Sequence, residues 1–217
     1  MPSQSTPLKA ARFKRRLLAW YRTAARDLPW RHTRDPYRVL VSEFMLQQTQ
    51  VSRVLDFYDR FLRRYPSVES LARARPSAVR EAWDGLGYYR RAANLHRLAK
   101  EVVHRHAGVV PNDPAELRHL PGVGPYTAGA VATFAYEKPV AAVDTNVRRV
   151  IGRVFGVSPK KVPGLAQRLQ PTRGKTAWKF NQALMELGAL VCSARAPKCV
   201  ECPVNRLCNW YSKTGNH

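Results

Sequence analysis

Two groupings of residues in this chain could do chemistry. The first is Leu120-Pro121-Gly122-Val123-Gly124-Pro125-Tyr126, followed eighteen residues after Tyr126 by Asp144 within Val143-Asp144-Thr145-Asn146. Its Pro-Gly and Val-Gly steps demand a tight, glycine-permissive turn between two helices. The backbone N–H groups of Leu120, Gly122, Val123 and Gly124 would then face outward at a helix N-terminus, where phosphate is attracted without any reading of base sequence. A short apolar helix follows (Ala128, Ala130, Val131, Ala132, Phe134), and the apolar run Val140 to Val143 delivers one carboxylate. A phosphate grip with an aspartate close behind it points to chemistry on a nucleic acid. The second grouping is Cys192, Cys199, Cys202 and Cys208, spaced C-x6-C-x2-C-x5-C. The sequence carries no recognisable export signal, so disulfides are not expected. Zinc sites more often show two C-x2-C knuckles across a longer loop, whereas four thiolates in one compact loop suit a 4Fe-4S cluster. Spacing alone leaves both metals open.

Charge narrows the partner. The chain has 37 Lys+Arg against 15 Asp+Glu, a formal +22 in 217 residues, with a pI near 10.7. Such a one-signed excess is the footprint of a polyanion, since each phosphate contact releases condensed counterions, and solubility does not require it. With no apolar span long enough for a membrane, nucleic acid is the expected partner, with a cytoplasmic, nucleoid-associated location and a monomeric state.

The elements that must position these groups read as helices almost throughout. Phe13, Leu17, Trp20 and Tyr21 form an apolar stripe whose opposite face carries Arg12, Lys14, Arg15, Arg16 and Arg22. Asp35-Pro36 is a cap and first turn for a helix running through Tyr37 to Gln48. Further helical patterns cover Val51–Tyr65, Ser77–Trp83, Tyr88–His106, Asp113–His119, Thr145–Phe155 and Trp178–Leu190, and Ser158–Lys175 reads as an irregular connector with one short helix. Strand-like alternation is almost absent, so the expected fold class is all-α.

Four more stretches join the hairpin, the aspartate and the cysteine loop: Leu28-Pro29-Trp30-Arg31, Ser42 to Gln50 (SEFMLQQTQ), Gly85-Leu86-Gly87-Tyr88-Tyr89, and Phe180 to Gly188 (FNQALMELG). Together they resemble the endonuclease III (helix-hairpin-helix-GPD) superfamily of DNA glycosylases, and within it the adenine-DNA glycosylases of the MutY type, over roughly residues 25–210. The resemblance implies a six-helix barrel domain with the helix-hairpin-helix over 29–137, an iron-sulfur cluster domain formed by 1–28 and 138–217, and DNA in the cleft between them. It makes Cys192, Cys199, Cys202 and Cys208 the ligands of a structural 4Fe-4S cluster, with Arg195, Lys198 and Arg206 near DNA phosphate.

The implied chemistry can be followed on the residues. Breaking the bond between adenine and deoxyribose leaves an anionic purine unless the base is protonated, so a general acid is needed. Glu43, on a helix among Val39, Leu40, Phe44 and Leu46, is the candidate, because desolvation raises a carboxyl pKa. The sugar then gains oxocarbenium character, and Asp144, capping the helix from Thr145, is expected to stay ionised on backbone N–H donors and the helix dipole. Two carboxylates in opposite protonation states are what acid-assisted glycosidic cleavage requires. Relatives that also cut the strand use a lysine amine near Tyr126 to form a Schiff base; a phenol cannot, so a monofunctional enzyme leaving an abasic site is expected.

The target base must leave the stack. By resemblance, Gln48 and Tyr88 wedge into the duplex, Leu46 lines the opening, and Trp30, Arg31 and Glu186 form the base pocket, with Glu186 accepting from an exocyclic amino group and Asn146 supporting Asp144. Two departures bear on specificity. Thr145 stands where many adenine glycosylases have glycine and is the type seen in pyrimidine-acting relatives. The sequence ends nine residues past Cys208, with no counterpart of the family's C-terminal Nudix-like domain, so a preference for 8-oxoguanine over guanine is not carried over. Three readings follow: excision of adenine opposite 8-oxoguanine or G, a mismatch thymine or uracil glycosylase on T·G or U·G, and a non-catalytic iron-sulfur DNA-binding protein. Retention of both Glu43 and Asp144 argues against the last.

Overall fold

The computed structural model describes residues 5–214, all helix, turn and irregular segments, with no strand among them. Residues 1–4 and 215–217, the extreme ends of the expected terminal domain, lie outside this range. No helix of the described residues is long and apolar enough to cross a membrane. The chain divides into two compact units, one from Asp27–Tyr136 and the other from both ends, up to Arg26 and from Glu137 onward.

Helix α1 (Ser5–Ala24) belongs to the unit of the two ends. The unit of residues 27–136 holds α2 (Pro36–Leu46), α3 (Val51–Arg64), α4 (Val68–Ala72), α5 (Pro76–Ala82), α6 (Arg90–Arg105), α7 (Pro114–Leu117) and α8 (Pro125–Phe134). Asp35 caps α2, accepting from the N–H groups of Tyr37 at 2.8 Å and Arg38 at 3.2 Å, with Pro36 in the first turn. Helix α2 packs against α3, α6 and α8, and every residue from Tyr37 to Met45 except Arg38 is buried. It is a central helix that is apolar nearly all round. It stops at Leu46, two residues short of the reading from sequence, and Gln48 leaves it at φ +56°.

The second unit continues with α9 (Thr145–Phe155), α10 (Val162–Leu169), α11 (Gly174–Leu190) and α12 (Asn209–Thr214). Helix α11 packs on α1 and α9 around Phe13, Leu17, Ile151, Phe180, Leu184 and Leu187, all fully or nearly fully buried. Phe13 meets Phe155 and Phe180 edge-on, at centroid distances of 5.3 and 6.2 Å. Each such ring contributes about 2 to 3 kcal/mol by leaving water. The α9 span matches its sequence pattern residue for residue. Helix α11 starts four residues before Trp178, and the connector before it contains a 3-10 turn (Pro159–Lys161) besides α10. Helices α4 and α12, five and six residues long, are too short for a periodic signal.

Candidate active site

In the unit of residues 27–136, Glu43 projects from the third turn of α2 and is 5 % exposed. Its burial follows from the position of its helix, since α2 has neighbours on every side. The glycine hairpin lies hard against this helix at the Phe44 ring. Gly122 has φ +78°, and a Cβ there would sit 2.8 Å from Asn94 and 3.0 Å from Phe44, so only glycine fits. The hairpin joins α7 to α8, with Gly124 as N-cap and Pro125 in the first turn. Its amides divide into two pairs. The Leu120 N–H donates to Leu117 O and the Val123 N–H to Leu120 O, both at 3.1 Å, so these two do not face an outside phosphate as expected from sequence. The turn consumes them. Gly122 and Gly124 are exposed, and their N–H groups have no acceptor among the described residues. Tyr126 follows in the first turn of α8 and is half-buried.

Trp30 and Arg31 sit in a 3-10 turn (Pro29–Arg31) that packs on α2. Trp30 is buried, its ring edge-on to Tyr58 at 5.4 Å, while Arg31 and Leu46 are half-buried. Gln48 and Tyr88 are exposed, Tyr88 at 61 %, and both adopt left-handed backbone, φ +56° and +48°. Tyr88 therefore lies before α6 rather than opening it. The two residues line one open depression together with Thr49, Arg53, Asp56 and Leu86. What holds both is Arg91, a buried residue the sequence did not single out among 37 basic side chains. One guanidinium nitrogen donates to the carbonyls of Phe44 (3.0 Å), Met45 (2.7 Å) and Gln47, the other to Leu86 (3.2 Å) and Gly87 (3.1 Å). Gln48 and Tyr88 each follow directly after a carbonyl so gripped. Burial pushes the Arg91 guanidinium pKa down, with Tyr88 acting weakly the other way.

In the unit of the two chain ends, Asp144 caps α9. Its Oδ1 accepts from the Val147 N–H at 2.7 Å and its Oδ2 from Asn146 Nδ2 at 3.0 Å. The donors are those expected, but their net effect is not. Burial raises the Asp144 pKa above the ordinary aspartate value, outweighing the Val147 and Asn146 hydrogen bonds and the nearby Arg149 cation, which lower it. Asn146 is fixed in turn: Arg149 donates to its Oδ1 at 2.7 Å while also donating to the carbonyls of Gly188 and Cys192, each at 2.7 Å.

Glu186 is 0 % exposed and paired with Arg26, with Nε to Oε1 at 2.7 Å and the second nitrogen to Oε2 at 3.1 Å, while the Arg26 backbone N–H adds a 3.1 Å bond. Both Glu186 oxygens already accept from Arg26, which orients the carboxylate without exhausting its acceptor capacity. Its placement inside the apolar face of α11 made a lone carboxylate unfavourable, and a cation 160 residues away in sequence compensates it.

The four cysteines are half-buried and line a single cavity with Val150, Leu187, Val191 and Val204. Among the described residues, no three His, Cys, Asp or Glu side chains converge as a site for one metal ion. Four thiols lining one cavity are a donor set chemically suited to a polynuclear cluster. Burial pushes the Cys202 thiol up to about 11, and burial with the nearby Cys192 and Cys208 raises Cys199. Arg153 stacks on Trp210 at 4.7 Å and donates to Cys192 Sγ at 3.4 Å.

Charge is unevenly shared. The unit of the two ends carries 21 Lys and Arg against 4 Asp and Glu, the other 16 against 11. Of those four acids, Asp144 and Glu186 are already bound internally, so the polyanion-attracting excess belongs mainly to this unit.

A family described as the HhH-GPD superfamily of base excision DNA repair proteins matches residues 41–186. The chain belongs to this superfamily. An adenine DNA glycosylase of Mycobacterium tuberculosis is 48 % identical over 202 residues, covering 89 % of this chain and 66 % of the relative, so the chain spans just under two thirds of that protein's length. The structure of a thermostable thymine-DNA glycosylase superposes with a TM-score of 0.91 at 37 % identity, covering 97 % of this chain and 100 % of the other. Endonuclease III trapped covalently on DNA gives a TM-score of 0.79 at 25 % identity, covering 94 % and 95 %.

Proposed function

We propose that this chain is a monofunctional DNA glycosylase of base excision repair that flips mispaired adenine, opposite 8-oxoguanine or G, out of double-stranded DNA and hydrolyses its glycosidic bond. The observation that carries this reading is the setting of Glu43, a carboxyl sealed into the centre of an apolar helix beside the hairpin. As the general acid of this reading, Glu43 donates a proton to the leaving base. Asp144, fixed by its cap and by Asn146, supplies the anion for the sugar cation. Gly122 and Gly124 offer backbone N–H groups to a phosphate, and Tyr126 excludes Schiff-base chemistry at its position. Gln48 and Tyr88 enter the stack beside the vacated site, while Trp30, Arg31 and Leu46 surround the extruded base. Glu186 acts through Arg26. Likeness to the adenine glycosylase supports the choice of base, and the scarcity of surface acids supports DNA as partner.

In this reading the units are the six-helix barrel domain and the cluster domain, and Cys192, Cys199, Cys202 and Cys208 hold a 4Fe-4S cluster. When bound, the cluster supplies a rigid charged centre that organises the basic loop around Arg195, Lys198 and Arg206. Anaerobic loading with iron and sulfide is expected to give four irons per chain and visible absorbance, and Cys202→Ser to lose both; stoichiometric zinc in their place would refute the assignment.

One observation favours a second reading. The thymine-DNA glycosylase structure superposes on this chain with a TM-score of 0.91 at 37 % identity. A duplex panel separates them. Adenine release from A·8-oxoG and A·G, without borohydride-trappable adduct, is expected; release from T·G or U·G alone establishes the second reading, and no release from any duplex leaves a silent DNA-binding protein. On the cleaved duplex, Glu43→Gln is expected to slow single-turnover excision by about 10²- to 10⁴-fold with DNA affinity retained.

A further inference from the structure

Asp144 is delivered by a segment, Pro139–Ala142, that lies in no helix and pairs with no strand. Four of its backbone groups are nevertheless bonded by side chains, while the Val140 N–H donates to the Lys138 carbonyl at 2.8 Å. Gln167 of α10 donates from Nε2 to the Pro139 carbonyl and accepts the Ala141 N–H on Oε1, both at 2.9 Å. Asn181 of α11 donates from Nδ2 to the Val140 carbonyl at 3.1 Å and accepts the Ala142 N–H on Oδ1 at 3.0 Å. Each amide thus bonds the carbonyl before one residue and the N–H after it, on alternating edges. That is the pattern a neighbouring parallel strand would make. Two side-chain amides replace the missing strands on both edges.

The clamp is braced where it is buried. Asn181 is 0 % exposed, and its Nδ2 also donates to Gln170 Oε1 at 2.9 Å and to the Ala177 carbonyl at 3.0 Å. Two turns further along α11, Gly188 lies against Asn146, where a Cβ would come within 2.5 Å of the Asn146 Cβ. Helix α11 therefore grips the chain two residues before Asp144 and abuts it two residues after.

We propose that Asn181 and Gln167 are positioning residues that hold Pro139–Ala142 as a surrogate strand and so set the place of the Asp144 carboxylate. The consequence for excision rests on the function proposed above; the structural claim does not. Gln167 is exposed, so Gln167→Met removes one jaw without threatening the core. Asn181→Leu removes the other, in a buried place where folding itself is at stake. Amide hydrogen exchange is the first readout. In Gln167→Met, exchange is expected to quicken at Ala141 and Ala142 and also at Val147, whose N–H is bonded to Asp144 itself. Single-turnover excision of the base that the wild-type chain releases is expected to fall about tenfold, as displaced reacting groups do. Affinity for a duplex carrying an uncleavable abasic-site analogue should not move. Unaltered Val147 protection would show that the clamp does not reach Asp144 and would overturn the proposal, as would an unchanged excision rate once Ala141 and Ala142 exchange faster. A wild-type chain that excised no base would refute the functional reading alone, because the exchange at Val147 still decides the clamp.

Discussion

Asp144→Asn is expected to lower single-turnover base excision by about 10³-fold while leaving the folded unit within about 1 kcal/mol of the parent. Asparagine keeps the oxygen that accepts from the Val147 N–H, so the α9 cap survives. It loses the charge, and its amide nitrogen meets the Asn146 Nδ2, which cannot turn over because Arg149 donates to the Asn146 oxygen. The pH dependence has a definite sign. Burial raises the Asp144 pKa, so this carboxylate takes up a proton at a higher pH than a solvated aspartate would. If the ionised form works on the sugar, wild-type excision fails on the acid side earlier than an ordinary aspartate would dictate. The same shift acts on stability. A carboxyl whose pKa is raised on folding favours the native state most when protonated, and that contribution fades as pH rises through its folded pKa. The melting temperature of Asp144→Asn relative to the parent is therefore expected to improve from acid toward neutral pH. Thermal melts at a series of pH values check this, and a difference that declines with rising pH would contradict it.

Arg91→Met is expected to destabilise the unit of residues 27–136 by about 3 to 5 kcal/mol, visible as a lower urea midpoint with an unchanged slope. The guanidinium has no carboxylate partner among the described residues; five backbone carbonyls from two segments converge on it. Three of them close the C-terminal end of α2, where carbonyls lack intrahelical donors and the helix dipole attracts a cation. Methionine fills the volume and satisfies none of them. Arg91→Lys should recover only part of the loss, since an ammonium is a point donor and cannot span both segments. Gln48 and Tyr88, in left-handed backbone beside the gripped carbonyls, should lose their fixed spacing along with the stability.

Much of the site was legible because caps and helical periods depend on residues within about four positions of each other. Asp35-Pro36 marked the start of α2, Asp144 marked the first turn of α9, and the apolar neighbours of Glu43 foretold its burial. The hairpin glycines could be read as a turn, and the four cysteines as side chains of one compact loop that share a cavity, from short spacings. Where the reading went astray, a distant partner or a sharp local departure decided the outcome. The helical pattern of α2 runs on through Gln48 because nothing in the sequence says that a glutamine there takes positive φ. The pairing of Glu186 with Arg26 is not legible in the sequence, because that cation lies at the other end of the chain. Asp144 has the donors foreseen for it, yet the direction of its pKa depends on how much surrounding chain excludes water.

The sequence by itself therefore determined which segments are helices, where their caps fall and which residue types are available for proton transfer and metal binding, because those properties rest on short-range sterics and local hydrogen bonds. Only the tertiary structure decided which of those groups are engaged: Arg91 on five carbonyls, Arg149 on Asn146, Asn181 and Gln167 along an unpaired segment. Each joins atoms that are far apart in the chain, and a hydrogen bond of about 3 Å exists only after packing has brought them together.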